Sequence, residues 1–370
     1  RLFANEKAFS APILDALSKD GVTILPYDSI YEYVKTFEKD MTVLLCKKKA
    51  NCRLVNSIPK EVTILDEANL TFLPKSIKNP VEVENERIAH IKDGVALTKF
   101  ICWLKKNVGK ITMTELSAGE KLYSFRAQQE NFIDNSFDPI ISYGIHAAIN
   151  HYSATPETDI AIEPGNFLLA DTGGHYYEGT TDTTRTIVMG SVNDEQKKYF
   201  TAVLRGMLNL GNAKFRYGCT GVNLDYLARG PLWEMGQDFN HGTGHGVGYL
   251  LNVHEGPNSF RWRIIQGDNA VLEEGMITSD EPGYYVENQY GIRHENLLVC
   301  KKAEKTTFGQ FMCFEHLTMV PFDLDAVVPE LMTVQERALL NNYHAQVYKK
   351  ISPYLEEEEK EWLKEATREI

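Results

Sequence analysis

The chain has 370 residues, 43% of them hydrophobic, which exceeds one ordinary domain and leaves ample apolar surface to bury, so two units are the first expectation. Its formal net charge of −12 is spread along the sequence rather than gathered in a tail, which argues against nucleic acid or a membrane surface as partner and favours a peptide-sized substrate. No run reaches the roughly 18 apolar residues of a membrane span, and the first residues lack the charged-then-apolar order of a secretory signal.

In chain order, residues 1–80 alternate short β-branched runs with amphipathic segments: VTILPY (22–27), helical YEYVKTF (31–37), TVLLC (42–46), CRLVNS (52–57) and VTILDE (62–67). They predict part of a small α/β domain. The sequence enters at Arg1 in what reads as the middle of such a unit, so an N-terminal portion is expected to be missing. Asn79-Pro80 marks a turn, followed by a helix predicted over 82–106, with Ala89, Ala96, Phe100, Trp103 and Leu104 on one stripe and Ile88, Ile91 and Val95 beside it. A second helix is predicted over 118–134. Strands are then expected over 138–143, 166–190, 276–287, 291–301 and 312–321, with helices over 193–215 and 222–236, a mixed α/β (α+β) pattern. Residues 334–370 return to helical period, and the acidic run 356–359 reads as a solvated face. Three segments follow: 1–80, a main domain over 81–325, and a helical extension over 326–370. The cysteines Cys46, Cys52, Cys102, Cys219, Cys300 and Cys313 form no CxxC pair or regular framework, as expected of reduced thiols in a cytoplasmic protein.

Three clusters carry chemistry. In DTGGHYYEGTTDTTRT, Asp171 ends an apolar strand and Asp182 follows eleven positions later with three glycines between; two strands joined by a turn would bring both carboxylates to one point. Taken alone, Asp beside Gly is ordinary turn chemistry. The second cluster, HGTGHGVG followed by NVHEGP, places His241, His245 and His254 within fourteen positions and among glycines, which disfavours a helix and lets backbone pass close to a ligand. The third, DEPGYY and GIRHEN, offers Glu281 at a strand end and Glu295 within an apolar strand, where a carboxylate is costly unless paired or metal-bound. Arg293 reads as a salt-bridge partner for one of these acids. Four carboxylates and one imidazole suit two hard or borderline divalent ions, manganese first and cobalt or zinc next, and suit a thiolate-bound structural zinc poorly. Two ions sharing carboxylates lower the pKa of a bridging water enough to supply hydroxide near neutral pH.

These motifs, in order and spacing, resemble the Xaa-Pro aminopeptidases of the pita-bread metallopeptidase family, over about residues 81–345, and are most similar to the long cytosolic type, which also carries a segment like FEHLTMVPFD (314–323). The resemblance implies a pita-bread catalytic domain preceded by part of a creatinase-like α/β domain. It implies that Asp171 holds the first metal, that Asp182 and Glu295 bridge both, and that His245 and Glu281 complete the second. His151, in INHYS, matches a histidine that contacts substrate and moves protons; His241 and His254 match histidines lining the leaving-proline side. Tyr285 and Arg293 are expected to orient substrate or ligands, and Glu281 to carry a proton to the leaving nitrogen, with His151 and His254 as the other catalytic groups. The implied activity is hydrolysis of the N-terminal Xaa-Pro bond of peptides, in a homodimer that binds neither nucleic acid nor membrane. Two alternatives stay open: a prolidase-like dipeptidase, and a non-catalytic peptide-binding module of the same fold.

Overall fold

The computed structural model describes residues 1–265 and 267–370. By contacts the chain divides into two compact units, Arg1–Pro74 and Lys75–Ile370. The first contains two parallel strand pairs, Leu2–Phe3 with Ile24–Leu25 and Thr42–Leu45 with Thr63–Asp66, and the helices Ala11–Lys19, Ile30–Lys35 and Cys52–Ser57. Its core is small: Val34, Ile58 and Val62 are buried, with Tyr33, Phe37, Val43 and Ile64 packed against them.

The second unit opens with α1 (Pro80–Asn107). Its start is set by a capping box in which Asn79 and Glu82 exchange side-chain and backbone hydrogen bonds, with Pro80 at the first helical position, where no N–H is needed. The next helix, α2, is Glu115–Arg126, shorter than the 118–134 read from sequence. Asn131 turns into left-handed backbone at φ 63°, and β1 (Phe132–Asn135) follows as a strand. The extended stretch expected over 166–190 is four strands: β3 (Asn166–Thr172), β4 (Gly174–Tyr176), β5 (Gly179–Thr180) and β6 (Thr183–Met189), while β2 is Ile140–Tyr143. The break has a steric cause, since a Cβ on Gly173 would lie 2.0 Å from the Thr181 carbonyl oxygen.

Order in the first sheet is β6-β3-β2, and β1-β4-β5 form a second small sheet. Helix α3 (Asp194–Gly211), strand β7 (Lys214–Arg216) and helix α4 (Asp225–Trp233) lead to the short pair β8 (Gly244–His245) and β9 (Ser259–Phe260). Strands β10 (Ile277–Asp280), β11 (Gly283–Val286), β12 (Tyr290–Arg293), β13 (Asn296–Thr306) and β14 (Gly309–His316) complete the sheets, in the order β7-β14-β13-β10 with β11-β12 as a separate ribbon. Every strand pair in this unit is antiparallel.

The largest core cluster joins Phe200, Leu204, Met207 and Leu208 of α3 to Leu340, Tyr343, Val347 and Ile351 of α5 (Val334–Ile351) and Leu363 of α6 (Glu357–Ala366). The carboxyl-terminal helices are therefore built into the main core, each buried large aliphatic contributing about 1.5–3 kcal/mol. Fully buried Arg185 of β6 ties the layers together, donating to the Glu295, Val320 and Pro321 carbonyls, to Asn296 Oδ1 and to the Tyr343 hydroxyl.

At the edge, Arg87 of α1 grips Glu315 of β14 with Nε and Nη2 at 2.7 and 2.9 Å, and Lys301 Nζ adds a third contact at 2.9 Å. These cations hold the Glu315 carboxyl down at about 2 against its ordinary 4.5. A depressed folded pKa contributes stability that is fully present above the unfolded value and is lost as pH falls through the folded one. Glu315→Gln should therefore destabilise the protein by about 1–3 kcal/mol at neutral pH, allowing for solvent screening. Melting curves should show that deficit shrinking between pH 4.5 and about 2; a deficit independent of pH would refute the pairing.

Candidate metal centre

Three strand junctions deliver the site. In the β3–β6 pair Asp171 lies opposite Thr184, and Asp182 sits just before β6, so the β4–β5 hairpin bulges out and both aspartates end at the same edge. In the second junction Asp280 pairs with Asn296 below and Gly283 with Arg293 above. Glu281 and Glu295 occupy the bend between these two ribbons. Glu295 is thus at a strand junction, where sequence reading placed it within a strand. The third junction is β8: a Cβ on Gly244 would fall 1.8 Å from the Ser279 carbonyl oxygen, so glycine is required for His245 to be carried up against β10.

The result is convergence. One donor atom from each of Asp171, Asp182 and Glu295 lies within 4.8 Å of the others, and the same holds for His245, Glu281 and Glu295 and for Asp182, His245 and His254. His245 Nε2 is 3.4 Å from Asp182 Oδ2 and 3.5 Å from Glu281 Oε1. Its Nδ1 lies 2.9 Å from the Gly246 carbonyl oxygen, which fixes Nδ1 as the N–H and turns the Nε2 lone pair toward the acids. Thr184 Oγ1 donates to Glu295 at 2.8 Å and Ser279 Oγ to Glu281 at 3.0 Å. Arg293 Nη2 meets Asp171 Oδ2 at 2.5 Å.

Burial is the first cause, and neighbouring carboxylates the next, that push Asp182 and Glu295 well above the usual carboxylate range; burial also raises Glu281. One arginine cannot neutralise four acids. A set of oxygen donors with one imidazole, whose charge Arg293 offsets only in part, fits a pair of divalent cations and is otherwise costly.

The acids open onto a cavity of about 480 Å³ whose walls include Phe137, Ile140, His151, His241, His254 and Arg261. His151 is exposed there. The His254 ring stands edge-on to His245 at 4.1 Å; desolvation by the cavity wall, and then His245, bring its pKa to about 4. His241 donates Nδ1–H to the Gly242 carbonyl at 2.7 Å, and its Nε2 takes the Tyr285 hydroxyl at 2.9 Å. Tyr285 in turn accepts Arg293 Nη1 at 2.7 Å. Burial, then Arg293, hold His241 at about 3, so it is neutral with both nitrogens engaged.

All ten residues singled out from sequence lie in or beside this cluster. Others were not anticipated: Thr184 and Ser279, and the clamp in which Arg229 of α4 donates to the His241 carbonyl while Thr243 donates to Asp225. A signal existed in the run Thr180–Thr186, threonine-rich and buried, because each hydroxyl in a core needs a partner.

Residues 84–302 match the model of metallopeptidase family M24, residues 310–370 that of the C-terminal region of these peptidases, and residues 1–82 that of the creatinase/prolidase N-terminal domain. The chain belongs to metallopeptidase family M24. Relatives of this M24 chain include a probable Xaa-Pro aminopeptidase P of Paracoccidioides brasiliensis, 37% identical across 100% of this chain and 63% of the relative. Another, from Arthroderma otae, is 40% identical across 94% and 58%. An X-prolyl aminopeptidase of Caenorhabditis elegans, described as a cytosolic enzyme with a di-nuclear active site, superimposes with TM-score 0.92 at 33% identity over 100% of this chain and 61% of its own. A Xaa-Pro dipeptidase of Bacillus anthracis gives 0.67 at 25% identity over 85% and 84%. The M24 chain spans about three-fifths of the length of the aminopeptidases it matches. Its fold is the pita-bread domain preceded by creatinase-type α/β structure.

Relief of repulsion gives a test of this M24 centre. Asp182→Asn should raise the Tm of chelator-treated protein by about 2–5 °C and abolish the Tm gain that Mn²⁺ gives the wild type. A variant that melts lower in chelator yet keeps the Mn²⁺ gain would contradict it.

Proposed function

We propose that this chain is the catalytic part of a metal-dependent aminopeptidase that removes the N-terminal residue from peptides whose second residue is proline. The observation that carries this reading is the convergence of four carboxylates and His245 within 4.8 Å groupings beside a cavity walled by His151, His241 and His254. We assign Asp171 to the first ion, Asp182 and Glu295 to both, and His245 with Glu281 to the second; manganese suits this oxygen-rich set best. His254, which shares a grouping with Asp182 and His245, stays a substrate-facing residue in this scheme. Bound ions lower the pKa of a shared water and polarise the scissile carbonyl.

The chain's own residues do the rest. His151, and His254 with its low pKa, meet the scissile carbonyl from the cavity wall. Glu281, steadied by Ser279, would take a proton from the attacking water and pass it to the departing proline nitrogen. His241 has no nitrogen left for substrate, because Gly242 and Tyr285 occupy both; it offers ring carbon. That suits the pyrrolidine ring, whose nitrogen carries no N–H in a peptide, and it makes the wall a proline selector. Arg293 holds Asp171 and Tyr285 in register.

With residues 1–80 as part of a creatinase-like domain, 81–325 as the catalytic domain and 326–370 as its helical extension, the reading places a homodimer in the cytoplasm. The Caenorhabditis elegans neighbour, cytosolic with a di-nuclear site, supports both the location and the metal pair. Identities of 37% and 40% to probable Xaa-Pro aminopeptidases P over nearly all of this chain, against 25% to the Bacillus anthracis dipeptidase, favour an aminopeptidase over a dipeptidase.

His151→Ala should keep its melting temperature while kcat/KM on an Xaa-Pro-Xaa peptide falls by about 10²–10⁴. The wild type should cut that peptide far better than an Xaa-Pro dipeptide or an Xaa-Ala-Xaa peptide. Equal turnover of proline and alanine peptides, or a His151→Ala variant that is destabilised and unchanged in selectivity, would sink the assignment.

A further inference from the structure

Behind the aspartate loop, α1 carries a polar stripe. Glu86, His90 and Asp93 are 0%, 1% and 2% exposed, and their spacing of four and three puts them on one face of the helix. Packing gains nothing from burying two acids there. Each acid instead touches the loop that joins Asp171 to Asp182. Glu86 Oε1 accepts the Thr180 N–H at 3.2 Å, and the fit is close: a Cβ on Gly179 would lie 2.4 Å from the Glu86 carboxyl carbon. Asp93 receives Arg126 Nε at 2.8 Å and Nη2 at 3.3 Å, and the Tyr176 hydroxyl at 3.0 Å. Arg126, fully buried, then donates Nη2 to Thr172 Oγ1 at 2.9 Å.

Thr172 is the residue after Asp171, and Thr180 lies two before Asp182. The loop is therefore pinned next to each aspartate, and at Tyr176 between them, by Glu86 and Asp93 of α1 and by Arg126 at the end of α2. A buried ion pair such as Asp93–Arg126 adds little stability over apolar residues of similar volume. What it supplies is direction: donors and acceptors at fixed points along a glycine-containing turn, added to the β1-β4-β5 pairing that also holds it.

We propose that Glu86 and Asp93, acting with Arg126, are positioning residues that set the separation of Asp171 and Asp182 and so the affinity of the centre for its cations. This rests on the dinuclear reading above. Groups that orient metal ligands change metal affinity by about 10–100-fold when removed, whereas groups that only support the fold change melting temperature and leave affinity alone in molecules that remain folded.

The test is calorimetric titration of Mn²⁺ into metal-stripped protein, with the melting temperature in chelator read alongside. The double variant Asp93→Leu/Arg126→Met removes both charges together, so no unpaired ion is left in the core. It should melt close to the wild type and bind Mn²⁺ about 10–100-fold more weakly. Glu86→Leu should weaken binding likewise, and Glu86→Gln, which keeps an oxygen acceptor for the Thr180 N–H, should restore wild-type affinity. Folded Asp93→Leu/Arg126→Met and Glu86→Leu proteins that bind Mn²⁺ as tightly as the wild type overturn the proposal. If the double variant does not fold, Thr172→Val, which deletes only the receiving hydroxyl, decides it with the same two outcomes. A wild type that takes up no Mn²⁺, Co²⁺ or Zn²⁺ would instead overturn the dinuclear reading and this proposal with it, a result distinct from affinity lost in the variants alone.

Discussion

Negative charge brought to one point in a buried place is the constraint on which this structure turns. Two carboxylates about 4 Å apart repel by about 4 kcal/mol even at an effective dielectric near 20, and here four converge with Arg293 as the cation in contact with one of them. A fold would not reach this arrangement by optimising its own stability. The surrounding architecture is a set of devices for imposing it: an antiparallel pair presenting two aspartates at one edge, a bend between ribbons presenting two glutamates, and a glycine-lined strand that lets His245 approach. Hydroxyl groups of Thr184 and Ser279 hold two of the acids by directional bonds that carry no charge.

The same constraint shapes the cavity. Burial keeps His241 neutral, and its hydrogen bonds to Gly242 and Tyr285 leave ring carbon to line the cavity. Tyr285 and Arg293 then connect that wall to Asp171, so His241 and Asp171 share one hydrogen-bonded support. A displacement in either is felt by the other.

Much of this was legible in the sequence, for a physical reason. Residues at a site built from short-range strand junctions sit in local motifs, so Asp171 with Asp182, His241 with His245, and Glu281 with Glu295 each announce themselves through glycines and prolines that the junctions require. Groups that act from a distance leave no such mark. Glu86 and Asp93 lie in a helix whose expected apolar stripe is buried in part, with Ile88 exposed, and nothing adjacent to them says that their partners lie 33 to 94 residues away. Element limits failed where local geometry overrode periodicity. The helix predicted to 134 stops at Arg126, and left-handed backbone at Asn131 then turns the chain into a strand, while one long extended run became four strands because Gly173 must pass hard against Thr181. The α3–α5 core that absorbs residues 334–370 was hidden for the same reason, since a high surface charge masks the buried face of a helix.

The central claim is that these acids are held together for cations. Elemental analysis of the purified, chelator-free protein, normalised to quantitative amino-acid analysis, measures it most directly. The account predicts two transition-metal ions per chain, with activity on an Xaa-Pro-Xaa peptide that disappears when they are stripped and returns with their replacement. A preparation holding no metal and cutting that peptide at full rate would contradict it.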